Sequence, residues 1–252
     1  MVGSSNLPGL SSLSDPFEIL TVEHYPIIQV ASALAAMRSD SEIEAETLRK
    51  AIEFIRRFAD RYHHEKEEVI LFTHVRKKGL DVSPVEAMEK EHEMVREKVK
   101  KAVEALDKGD IKSSIINLRE WANFIPDHID RENHSLFPGL ARFFDENERS
   151  EMMVNFRKVD QELGTLQEMQ KMADELFVEL TGKTGEAIVE ARAVRKEDRD
   201  VFVERLARSM PENSSLLVMY DEEPVELLGK LEEFQIQELR KGDVYAFRVK
   251  RK

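Results

Sequence analysis

The sequence predicts an α+β chain. An N-terminal up-down four-helix bundle with an extra helix is followed by a small C-terminal β-α-β-α-β-β two-layer sandwich. Three observations carry this. From Asp15 to about Leu180, apolar residues recur with a helical period, broken only by short turn-like stretches. After "TGKTG", residues 181–185, the pattern changes to short strands alternating with helices. The composition, 35% charged and 41% hydrophobic over 252 residues, suits helices with heavily charged outer faces. The expected divisions are a flexible leader at 1–14, a helical domain at 15–180 and an α/β domain at 186–252.

The first helix is expected to start at Asp15-Pro16, a capping residue followed by proline at the first helical position, and to reach about Met37. Its stripe is Leu20, His24, Ile27, Ile28, Ala31 and Leu34. A Ser39-Asp40-Ser41 break leads to a second helix over 42–77, stopped by Gly79. The third follows Ser83-Pro84 and ends at Lys108 before Gly109. It carries Met88, His92, Val95, Val99, Ala102 and Leu106 on one face. The fourth covers 111–137, with His128, Ile129, Glu132 and Leu136 in its stripe, and Pro126 as a kink site. The stretch 147–180 reads as one amphipathic helix through Val159, Leu163, Leu166, Met169, Ala173 and Leu176. Beyond it, "AIVEARAV" and "SLLVMY" read as strands. "EDRDVFVERLARSM" and "PVELLGKLEE" read as helices, and "FQIQEL" with "VYAFRVK" as a terminal hairpin.

Several function classes are excluded. A net charge of −12 argues against a general nucleic-acid or anionic-membrane binder. The absence of cysteine removes disulfides, thiol catalysis, cysteine zinc sites and iron–sulfur clusters. No apolar run approaches the ~20 residues of a membrane span. The start, "MVGSSNLPGLSSLSDP", lacks the basic and apolar segments of a signal peptide, so the expected compartment is the cytoplasm. No nucleotide-binding glycine fingerprint appears, and "TGKTG" lacks the spacing of a phosphate loop.

Chemistry concentrates in two similar segments, "RYHHEKEEVILF" at 61–72 and "PDHIDRENHSLF" at 126–137. Both run His, Glu four residues on, then Leu-Phe: His63, Glu67, Leu71, Phe72 and His128, Glu132, Leu136, Phe137. On a wheel of about 100° per residue, His63 and Glu67 fall on the inner half of the second helix, and His64 and Glu68 face outward. One inward histidine thus stands on each of four helices, His24, His63, His92 and His128, with Glu67 and Glu132 one turn after two of them. A lone inward histidine is more often a hydrogen-bonded core residue than a ligand. Six such groups together reverse that balance, because buried carboxylates need a cationic partner. Imidazole with carboxylate suits iron, manganese or zinc, and two glutamates can each bridge two ions. His74 and His134 fall outside the stripes, and Tyr25 and Trp121 read as packing residues.

"ILTVEHYPI", "HHEKEEVILF", "EKEHEMV" and "DHIDRENHSLFP" resemble the successive motifs of the hemerythrin-like, His-His-Glu cation-binding domains, over about residues 15–180. The resemblance implies two irons under an oxo or hydroxo bridge, His24 and His63 on one, His92 and His128 on the other, Glu67 and Glu132 bridging. Oxygen carriers of that family have a further histidine where this chain has Met88, one turn before His92. A thioether is a poor ligand for ferric iron, so the second metal is expected to keep an open position. The expected function is binding or sensing of oxygen, nitric oxide or peroxide, or iron handling. The alternative is a di-iron enzyme consuming one of those molecules. Residues 186–252, through "LLVMYDEEPVELL", resemble small domains related in fold to sulfur carriers. Without cysteine a sulfur relay is excluded, and a homodimer or partner-docking role is expected there. Asp221 to Glu223 read as a solvated helix start.

Overall fold

The computed structural model describes residues 13–240 and 242–251; residues 1–12 of the expected leader lie outside them. Helix α1 is Pro16–Ala35. Helix α2 is one continuous run over 45–77, about half of it, Ile55–His64 and Lys66–Leu71, wound as wide π turns. Helix α3 is Ser83–Asp107. Helix α4 covers 111–141, with a wide turn at Glu132–Leu136. Helices α5, Glu146–Leu163, and α6, Leu166–Thr184, complete the helical part. The remainder is β1 Glu186–Glu190, α7 Lys196–Ser209, β2 Ser215–Tyr220, α8 Val225–Lys230, β3 Phe234–Arg240 and β4 Tyr245–Arg251.

Local chemistry sets these bounds. The Asp15 carboxylate accepts from the backbone N–H groups of Phe17 and Glu18, and Pro16 takes the first position, where no donor is lost. The stretch expected as one helix at 147–180 is two. Gly164 sits at φ 114°, a conformation that side chains oppose, and Thr165 with Glu168 forms a capping box that starts α6. The strand expected over 187–194 ends at Glu190, where the chain turns through a 3-10 segment, Ala191–Ala193.

The four strands form one sheet in the order β1-β2-β4-β3. β1 and β2 are parallel, joined through α7; β4 is antiparallel to both β2 and β3. Alternation is plain in β4, where Tyr245, Phe247 and Val249 are buried and the residues between them are not. Helix α1 packs against α4, α6 and β1. That explains why it is buried almost throughout, Leu20, Ile28 and Leu34 fully so. One apolar core runs from the helices into the sheet. No described helix is long and apolar enough to cross a membrane.

Candidate metal centre

The two similar sequence segments become two copies of one backbone device. The N–H of Phe72 donates to the carbonyl of Glu67, and the N–H of Phe137 to that of Glu132, each spanning five residues. Such wide turns hold more residues per turn, so successive side chains rotate less around the axis. The consequence in α2 is large. His63 and His64 are both buried, at 1% and 3% exposure, as are Lys66 and Glu67. The expectation that His64 faces outward is therefore overturned: an ideal 3.6-residue wheel does not apply over Ile55–Leu71.

The structure gathers the inward groups into two clusters. His24, His63, Glu67 and Glu132 form one; His64, His92 and His128 form the other. The two carboxylates lie between them. Glu67 places Oε1 3.5 Å from His63 Nε2 and Oε2 3.5 Å from His92 Nε2. Glu132 places Oε2 3.2 Å from His24 Nε2 and Oε1 3.2 Å from His128 Nε2. All six residues expected from the sequence meet here, and His64 joins them, its ring stacked on His92 at 3.8 Å. A third imidazole in the second cluster removes the reason for an open position derived from Met88, which is simply buried on α3. His74 Nδ1 donates to the Ile70 carbonyl at 2.8 Å and His134 is exposed, both outside the clusters. Tyr25 donates to Asp198 rather than to the centre.

A second layer of side chains aims the imidazoles. His63 Nδ1 faces Glu23 Oε2 at 3.1 Å, and His128 Nδ1 faces Glu91 Oε2 at 2.7 Å. His92 Nδ1 faces Glu68 Oε1 at 2.7 Å, and His24 Nδ1 faces Asn133 Oδ1 at 2.9 Å. An oxygen opposite Nδ1 places the proton there and turns the Nε2 lone pair to the centre. Sequence reasoning missed these four partners because it kept only inward stripes. They have a positional signal nonetheless. Glu23 and Glu91 directly precede His24 and His92; Glu68 and Asn133 directly follow Glu67 and Glu132. The α1–α2 pair and the α3–α4 pair thus carry the same pattern. His64 breaks it, since Ile129 stands at the matching place after His128.

Glu23 is also held by Lys66, which is wholly buried, bonds Asp160 at 2.7 Å and lies 3.6 Å above the Tyr62 ring. Burial works against the Glu23 charge, but Lys66 and His63 outweigh it and hold its carboxyl below the usual range.

The centre itself is electrostatically unsatisfied. His24 Nε2, His63 Nε2 and all four oxygens of Glu67 and Glu132 are buried without a hydrogen bond. The short Glu132–His24 approach is close enough for an ion pair yet not aligned for a hydrogen bond. Burial, with His24 alongside, pushes His63 down to about 4, and burial with His92 pushes His64 well down. Burial and the facing Glu132 push Glu67 well up. His128 goes the other way: burial opposes its charge, but Glu132 and Glu91 prevail and raise it to about 9. His92 Nε2 and His128 Nε2 meet at 3.2 Å although both rings use Nδ1 for a carboxylate. Two lone pairs so close need a cation or a proton between them. Converging nitrogen and oxygen donors, aimed from outside and unpaired inside, fit divalent or trivalent metal ions.

No curated protein and no solved structure matches the chain. The family model of the hemerythrin HHE cation binding domain matches residues 15–140, which span α1 through nearly all of α4 and hold every residue of both clusters. The chain belongs to the hemerythrin HHE cation-binding family.

Proposed function

We propose that this protein binds two metal ions in an up-down four-helix bundle and uses them to bind a small ligand such as oxygen, nitric oxide or peroxide. The observation that carries the reading is the placement of Glu67 and Glu132, each with one oxygen towards each histidine cluster. His24 and His63 would hold one ion and His64, His92 and His128 the other, with Glu67 and Glu132 placed between the two groups. Mixed imidazole and carboxylate donors favour iron, with manganese and zinc the competing ions. With two histidines against three, the His24–His63 side offers fewer imidazole donors, and an ion held there would have room for an exogenous ligand. Bound metal supplies Lewis acidity and, for iron, electrons. The chain's own residues orient the imidazoles through Glu23, Glu68, Glu91 and Asn133 and exclude bulk water.

The sheet region, 186–252, acts as a brace. Asn133 donates to the Ala193 carbonyl at 2.9 Å while its oxygen faces His24. Metal content by mass spectrometry, with optical spectra under air and under nitrogen, tests the centre. About two ions per chain and an oxygen-dependent band are expected; a colourless, metal-free protein after reconstitution with ferrous iron overturns the reading. Sustained turnover of peroxide or nitric oxide would favour the di-iron enzyme instead.

A further inference from the structure

Beside the centre lies a cavity of about 430 Å³, within the size range of small-molecule sites. Its wall is apolar: Ile55 and Ala59 from α2, Val95 and Val99 from α3, and Trp121 from α4. His64 also lines it, so the cavity reaches the three-histidine cluster. Nothing in the arrangement of the metal donors requires a space of this size and character.

Its polar lining is uneven. Arg96 is already engaged, its Nε donating to Asp60 at 2.6 Å and an Nη to Glu68 at 2.8 Å. Arg56 and Lys100 are exposed. Arg56 has no ion pair among the described residues, and Lys100 has only a 3.7 Å approach to Glu97. Glu104 is the remaining acid on the lining. A second groove shares Arg56 and adds Arg57, Arg61 and Arg49, the last paired with Asp107 at 3.2 Å, with Glu53 the one acid among its lining residues. In a chain of net charge −12, this is a local concentration of positive charge at the rim of an apolar space.

We propose that the cavity binds an amphipathic organic anion. The apolar body lies between α2 and α3 with one end against His64, and the carboxylate is held at the rim by Arg56 and Lys100. An apolar wall gives affinity without direction, and the two cations choose which end stays in water. A neutral or cationic chain of the same length lacks the second part. That the bound molecule lies beside a metal ion rests on the dinuclear reading above; that the cavity takes it does not.

Trp121 is the one tryptophan of the chain and is a wall residue, so its emission reports occupancy. The full chain, with and without bound metal, is titrated with decanoate. A saturable change in emission is expected in both forms. Decyltrimethylammonium should bind at least about tenfold more weakly, as should decanoate to Arg56→Glu/Lys100→Glu, a change of exposed residues that leaves the core intact. Val99→Phe, which fills the cavity, should weaken decanoate by a similar factor. No saturable change with decanoate, or equal affinity for the ammonium chain, overturns the proposal. Unchanged decanoate affinity in the charge-reversed variant overturns it as well, even if Val99→Phe fails to fold. In metal-loaded protein, decanoate should perturb the visible spectrum, and binding by emission with an unperturbed spectrum overturns the position against His64. Absence of metal overturns the dinuclear reading alone, since emission still judges the cavity.

Discussion

His63 and His64 are consecutive in the chain, yet their imidazoles enter different clusters, His63 with His24 and His64 stacked on His92. The wide turns of Ile55–His64 make this possible, because neighbours separate by a smaller angle than in an α-helix. Two adjacent ligand-type side chains can then both point inward and diverge just enough to address two centres.

His64→Leu should lower bound metal from about two ions to about one per chain, whereas Arg61→Ala, on an exposed position of the same helix, should not change it. The metal-free variant should be more stable than the metal-free parent by about 1–3 kcal/mol, since a buried ring nitrogen without a hydrogen bond is replaced by apolar packing. Mass spectrometry and urea unfolding read these two effects separately. Unchanged metal content would show that His64 is a packing residue.

Asn133→Ala removes both the acceptor for His24 and the donor to Ala193. A cost of about 1–3 kcal/mol in unfolding free energy is expected from the groups left unpaired. Metal affinity should fall about 10–100-fold through the loss of His24 orientation. Stability loss without any change in metal affinity would mean that the sheet brace does not reach the centre.

Lys66→Met should destabilise the protein by about 3–5 kcal/mol, because Glu23 keeps its charge in the core and loses its cationic partner. Glu23→Gln/Lys66→Met should recover most of that loss. Denaturant unfolding of the parent, Lys66→Met, Glu23→Gln and the double variant forms a cycle, and an unrecovered double variant would point to lost packing around Tyr62 rather than to charge.

The metal-free protein should be most stable near pH 6.5. His128 is raised to about 9 in the fold, and Glu67 is raised as well. The folded state therefore holds more protons than the unfolded chain on the alkaline side, and stability falls as pH rises towards 9. Below 6.5 the unfolded chain protonates His63 and His64, whereas burial keeps them neutral in the fold, His63 down to about 4. Two protons then favour unfolding against one held by Glu67, so stability falls again. Melting temperatures of chelated protein across this range check the shape. A steady rise from pH 6.5 to 9 would contradict it.

The sequence alone determined the helical period, the caps at Asp15 and Gly109, and the four histidines and two glutamates on inward faces. These follow from local spacing, which holds where a helix keeps its ordinary pitch and which the wide turns left intact for His63, Glu67 and Glu132. It also determined the change of architecture after Gly185, because strand alternation is likewise local. Only the tertiary structure decided the place of His64, since a change of pitch over Ile55–Leu71 moves a residue from one face to another without altering its neighbours in sequence. The partners of the imidazole Nδ1 atoms were also decided there. Glu23, Glu68, Glu91 and Asn133 each serve a histidine on a different helix, and a contact between helices has no period to read along the chain. The division of labour is physical: intrahelical geometry is written every few residues, whereas a buried polar group finds its partner only when the core closes around it.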